Sequence, residues 1–245
     1  MGSKEFLPVY PYSHAEAQRL GELDAWEQSH QENVACRKAI EAAIMLGHDG
    51  RELSADCAEG VIEKFGYHRT AFVLANSLVK QESDRRISKD NLDWAKQSFV
   101  PPDSRNWDCA VGSHPAVLDG FVSQYRRAYQ SLGLFGHTHC LPDTSKQDFE
   151  GKVVVLSPQA LSEQHFTPEN QLWLCTGGFG SHAGARGRAV YATCLADGET
   201  ARLDREDFAG VLADCHLPGW AREKLEQMQG HTPREDPGMG GMTMQ

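Results

Sequence analysis

At 245 residues, with 40% apolar and 24% charged side chains, the chain suits one large or two small globular domains with room for a sizeable core. The formal charge of −10 divides as −4 over residues 1–132 and −6 over 133–245, so neither half carries the basic excess of a general nucleic-acid binder. Direct nucleic-acid binding is therefore not favoured, and mild acidity reads as an aid to solubility. No apolar run approaches the roughly 20 residues of a membrane span, so no membrane partner is expected.

Seven cysteines (Cys36, Cys57, Cys109, Cys140, Cys175, Cys194 and Cys215) are odd in number and form no CxxC. With no secretory leader, they read as free thiols in a reducing cytoplasm. Met1-Gly2-Ser3 reads as a cloning remnant, and 230–245, rich in Gly and Met, as a flexible tail.

In chain order, Ser13 and Glu16 form a capping-box signature that opens a helix reaching about Ser29. A second helix is expected over 31–46 with Cys36, Ile40, Ala43 and Ile44 in one stripe, closed by Gly47. Ser54 is expected to cap a third helix, burying Cys57, Val61, Ile62 and Phe65 and closed by Gly66. A fourth follows over 67–80. Ser88 caps a short fifth helix with Leu92, Trp94 and Ala95, before Pro101-Pro102 breaks the chain. Pro115 suits the start of a sixth helix, whose stripe is Leu118, Phe121, Val122, Tyr125 and Tyr129; Gly133 ends it.

Beyond residue 150 the pattern changes to short β-rich runs at 152–156, 171–175 and 188–195. Asp197-Gly198 fits a two-residue type I′ turn, with 200–203 as the returning strand. Asp204, Glu206 and Asp207 predict a helix start, anchored by Phe208, Val211 and Leu212. Pro218 opens a last helix with Trp220, Ala221, Leu225 and Met228 inward. The predicted fold class is α+β: an all-helical unit over 5–132, a linker over 133–150, and a small antiparallel sheet or partial barrel with flanking helices over 151–229.

The stretches PVYPYSHAEA, ACRKAIEAAI, KFGYHRTAFVLANSL, RISKDNLDWAK and SHPAVLDGFV occur in that order. Together they resemble an uncharacterised domain family found in conjugative and phage-like mobile elements of gut Firmicutes. The later segment ENQLWLCTGGFGSHAGARGRAVYATCLADGETARLDREDFAGVL, followed by HLPGWAREKL, resembles a companion of such domains. The resemblance implies a bacterial mobile-element setting and supplies no reaction.

Gly136-His137-Thr138-His139 matches four letters of the calcineurin-like phosphoesterase metal site. That site also needs Asp-x-His, Gly-Asp and Gly-Asn-His blocks, which this sequence lacks, and two-metal hydrolysis needs more ligands than His137 and His139. A mononuclear zinc site using His137, His139 and Cys140, with His165, His182, Cys175, Cys194 or His216 completing four ligands, is the other option; the spacing fits no known finger. No metal, no cofactor and no catalytic residue is therefore expected. No cysteine sits in a recognisable nucleophile context. The basic cluster of Lys80, Arg85, Arg86 and Lys89 reads as a solvated face.

The glycine-dense segment 176–188 is the candidate binding surface: Thr176, Gly177, Gly178, Phe179 and Gly180, with Arg186 and Arg188. It is neither a Walker loop nor a Rossmann turn. Loops on rigid scaffolds often carry function, and two arginines can meet an acidic group. The resulting expectation is a non-catalytic accessory protein of a mobile element that binds a protein partner, with counter-defence against a host nuclease or CRISPR effector as its most specific form. The alternative is a small enzyme or nucleotide- or phosphate-binding protein using the same loop.

Overall fold

The computed structural model describes residues 6–98, 100–184 and 187–230. The chain divides into two compact units. The first comprises residues up to Leu134 together with Ser162–Phe166; the second comprises Phe135–Leu161 and the chain from Thr167 onward. Among the described residues no helix is long and apolar enough to cross a membrane.

The first unit is helical. Helix α1 spans His14–Leu20, and the Ser13 hydroxyl accepts from Glu16 N as a cap. Only half of the expected capping box forms, because the Glu16 carboxylate pairs with Arg19. The expected break near Ser29 is not there. Gly21 takes the left-handed conformation (φ 76°) and ends α1, and α2 runs unbroken over Leu23–Gly47.

Helix α3 spans Glu59–Lys80. Its first turn lacks the expected Ser54 cap: that hydroxyl donates to Asp56 instead, and the helix starts four residues later after Ala58. The expected closure at Gly66 is present as a kink, with φ 80° and ψ 171°. Ser88 caps α4, Lys89–Gln97, and Pro115 opens α5, Pro115–Ser131, as the sequence predicts. The α5 stripe of Leu118, Phe121, Val122 and Tyr125 is buried against Cys36, Ile40 and Ile44 of α2 and the apolar face of α3.

One charge lies inside this core. Arg69 is 3% exposed and donates to the carbonyls of Ser29 (2.8 Å), Leu7 (2.8 Å) and Pro8 (3.1 Å), and to the Asn33 side-chain oxygen. Carbonyl oxygens satisfy the buried guanidinium, and in doing so they tie the segment before α1 onto α2.

The second unit is an open antiparallel sheet of five strands: β1 Val153–Leu156, β2 Leu172–Gly177, β3 Ala189–Cys194, β4 Thr200–Asp204 and β5 Phe208–Val211, in the order β4-β3-β2-β1-β5. Its α+β class is the expected one. Val155, Leu172, Leu195 and Leu212 share a core with Ala221, Trp220, Leu225 and Met228 of α6, Gly219–Gly230.

Two local expectations differ. Asp204 does cap a turn, and Asp207 answers its amide, but one 3-10 turn is all that follows. Phe208–Val211 then pairs with β1, because Gly210 (φ 149°) disfavours helix and the four residues are buried as a strand. At the β3–β4 turn only Gly198 has positive φ, so no type I′ turn forms. A longer loop over 195–198 is closed by Cys194 N to Glu199 O (2.8 Å) and by the Asp197 carboxylate accepting from Glu199 N (2.9 Å).

Residues 137–149 also belong to the second unit. Cys140 bridges to Leu212, and Phe149 is fully buried.

Candidate functional site

The glycine-dense segment is the connection between β2 and β3, and close backbone approach explains its composition. A Cβ on Gly178 would lie 2.4 Å from Ala189 O, and one on Gly180 would lie 2.3 Å from Arg188 O. One on Gly187 would meet Phe179 Cβ at 2.5 Å. Gly177 and Gly178 have φ of 145° and 112°, where the pairing of β2 with β3 shifts register. The two limbs of the hairpin therefore lie against each other with no room for side chains.

The loop is also fastened at its base. Gly180 N donates to Ala189 O (2.7 Å), Ser181 N to Gly178 O (3.0 Å), and Phe149 N to Ser181 O (2.7 Å). Ala183 N donates to the Asp148 carboxylate (2.7 Å). Arg205 completes the anchor: its guanidinium donates to the carbonyls of Gly180 (2.6 Å), Thr144 (2.9 Å) and Gln147 (2.7 Å) and lies 3.9 Å over the Phe149 ring. Burial draws the Arg205 pKa below its ordinary value, with Asp148 opposing. The sequence reading missed Arg205, whose only signal was an arginine next to a capping aspartate.

Several polar groups of the loop are engaged by neighbouring residues. The amides of Gly180 and Ser181 are spent internally. Arg188 pairs with Glu206 at 3.2 Å. His182 faces Asp148 (4.0 Å) and Glu150 (3.5 Å). Arg186 lies outside the described residues. Thr176 is exposed and donates to Tyr191 O (3.2 Å). The large apolar side chains that the described residues expose here are Phe179, 82% exposed, and on β3 Tyr191, 50% exposed.

The histidine candidates are only partly brought together. His137 donates from Nδ1 to Ala209 O (2.8 Å). His139 Nδ1 accepts from Gly136 N (3.0 Å), and its ring meets that of His216 edge-on at 5.0 Å. Cys140 points its thiol to Gly136 O (3.6 Å). His165 bonds Ser162 in the other unit, and Cys175 and Cys194 are buried in the sheet. Among the described residues no three His, Cys, Asp or Glu side chains gather in a metal-holding group.

One cysteine does meet a histidine: Cys109 Sγ lies 3.6 Å from His30 Nδ1. Burial pushes the Cys109 thiol up to about 12 and lowers His30. Both groups are neutral at pH 7, the opposite of an activated thiolate–imidazolium pair. Burial likewise pushes Cys36 to about 12 and Cys140 to about 11. In the basic cluster, Lys80 lies over Trp107, Arg86 pairs with Asp84 and Lys89 with Asp93.

No curated protein and no solved structure matches the chain. Residues 9–130 match the family described as Protein of unknown function (DUF3849), a stretch that takes in α1 to α4 and all but the last residue of α5.

Proposed function

We propose that this chain is a non-catalytic accessory protein that binds a protein partner through the outer surface of the 176–188 loop. The observation that carries the reading is Phe179, whose ring is 82% exposed on a loop fastened by Arg205 and by backbone contacts at Gly178 and Gly180. An aromatic ring left in water on a braced loop is costly to leave bare and cheap to bury. Its burial contributes about 2–3 kcal/mol, and little loop entropy remains to be lost. Tyr191 extends the aromatic surface, and Arg188 and Glu206 flank it with charge.

The setting we infer is a mobile genetic element, with counter-defence against a nuclease or CRISPR effector as its specific form; the sequence resemblance supports this. Seven unpaired thiols fit a cytoplasmic location.

The test is capture from one bacterial lysate on immobilised wild-type chain and on a Phe179→Ala variant of equal melting temperature. The proposal expects a protein retained by the first and lost from the second. Identical retention by both, or recovery of nucleotide alone, would count against it.

A further inference from the structure

The helical unit contains a helix start that its own neighbouring residues do not cap. Gly66 interrupts α3 with φ 80° and ψ 171°, so the chain re-enters the helix at Tyr67 and His68 with a new first turn. The Glu163 carboxylate takes both, at 2.9 Å from Tyr67 N and 2.5 Å from His68 N. A Cβ at position 66 would stand 2.5 Å from Glu163 Cδ, so the notch exists because residue 66 has no side chain. Three residues on, Phe166 is 6% exposed. Its ring stacks on Tyr67 (5.2 Å, 16°) and meets His68 (5.0 Å) and Tyr129 (5.8 Å) edge-on. Gln164 and His165, between the two, are exposed.

Two side chains of this segment are therefore held, in the pattern Glu-x-x-Phe. The helix N-terminus selects the negative charge, and the three rings select an aromatic at a fixed distance from it. Gly66, Tyr67, His68 and Tyr129 all lie within the matched stretch 9–130, whereas Glu163 and Phe166 lie outside it. The module carries the receptor, and the rest of the chain supplies the occupant.

We propose that this notch is a recognition site for short protein segments with a carboxylate three residues ahead of an aromatic ring, filled in this chain by its own residues Ser162–Phe166. A partner presenting the same motif competes with the internal segment. That segment has the advantage of tethering, which amounts to an effective concentration of roughly millimolar.

The test uses the full chain and a fluorescent peptide of residues 161–167. The Glu163→Gln/Phe166→Ala double variant vacates the notch. It is expected to bind the peptide saturably in an anisotropy titration, at least about tenfold more tightly than the wild type, whose site is occupied. Replacing the peptide's Glu by Gln, or its Phe by Ala, is expected to abolish binding, and Phe179→Ala in the protein to leave it unchanged. A double variant with intact helical circular dichroism that does not bind, or that binds the substituted peptides equally well, overturns the proposal. If the double variant loses its helical signal, Phe166→Ala alone is titrated against the same two outcomes.

Discussion

Gly66 and Glu163 fit as notch and plug: the carboxyl carbon of Glu163 occupies the place, 2.5 Å away, that excludes a Cβ at position 66. The backbone at Gly66 also lies in a region essentially reserved for glycine. Gly66→Ala is therefore expected to cost about 1–3 kcal/mol from the backbone alone, before the cap is displaced. Glu163→Gln keeps the shape and loses the charge, at a cost of about 1 kcal/mol. Urea unfolding of both variants checks the order; equal stabilities would show that the notch is not shaped by this pair.

Arg205 and Arg188 look alike in sequence and differ in position. Arg205 satisfies the carbonyls of Gly180, Thr144 and Gln147. Arg188 holds one exposed ion pair. Arg205→Ala is expected to destabilise by about 2–4 kcal/mol and to speed amide exchange at 178–183. Arg188→Ala should stay within about 0.5 kcal/mol of the parent. Exchange at 178–183 that is unchanged in Arg205→Ala would remove the argument that this loop is braced.

The helical half was legible where contacts are local. Leu118, Phe121, Val122 and Tyr125 recur at helical spacing, and all four are buried. The misreadings came where a distant partner decides. Asp204 carries a real cap, yet pairing with β1 makes Phe208–Val211 a strand. Glu163 is 96 residues from the amide of Tyr67 that it caps, and the carbonyls that gather around Arg205 come from two turns more than 30 residues apart. Residue types alone do not encode such meetings. The glycine loop stood out by composition, but its glycines answer to backbone crowding, and the exposed ring of Phe179 is its outward feature.

His30 gives the chain a defined response to acid. It stacks on Trp26 (4.7 Å, 10°) beside Cys109, and burial lowers its pKa, assisted by Arg105 and opposed by Asp108 and Asp103. Above the ordinary value of 6.5 it is neutral both folded and unfolded, and its contribution is complete. As pH falls through 6.5, the unfolded chain takes up a proton that the folded chain resists, so stability declines. Unfolding free energy measured from about pH 7 to about pH 5 should fall less steeply in His30→Gln. Equal slopes would refute the assignment.

Thiol chemistry should be selective. Burial holds Cys36 and Cys109 at about 12 and Cys140 at about 11, whereas Cys215 is exposed. Aromatic disulfide reagent at neutral pH is expected to show one fast phase, absent in Cys215→Ser, with the buried thiols reacting only on unfolding. A fast phase that survives this substitution would place reactivity elsewhere.

The central claim, that the Phe179 surface meets a protein, is tested most directly by replacing Phe179 with a photo-crosslinking phenylalanine analogue and irradiating the chain in bacterial cells. The account predicts a discrete crosslinked protein band that disappears when the same analogue stands at the exposed Met45 of the helical unit. Crosslinks from position 179 that are no more discrete than those from position 45 would contradict it.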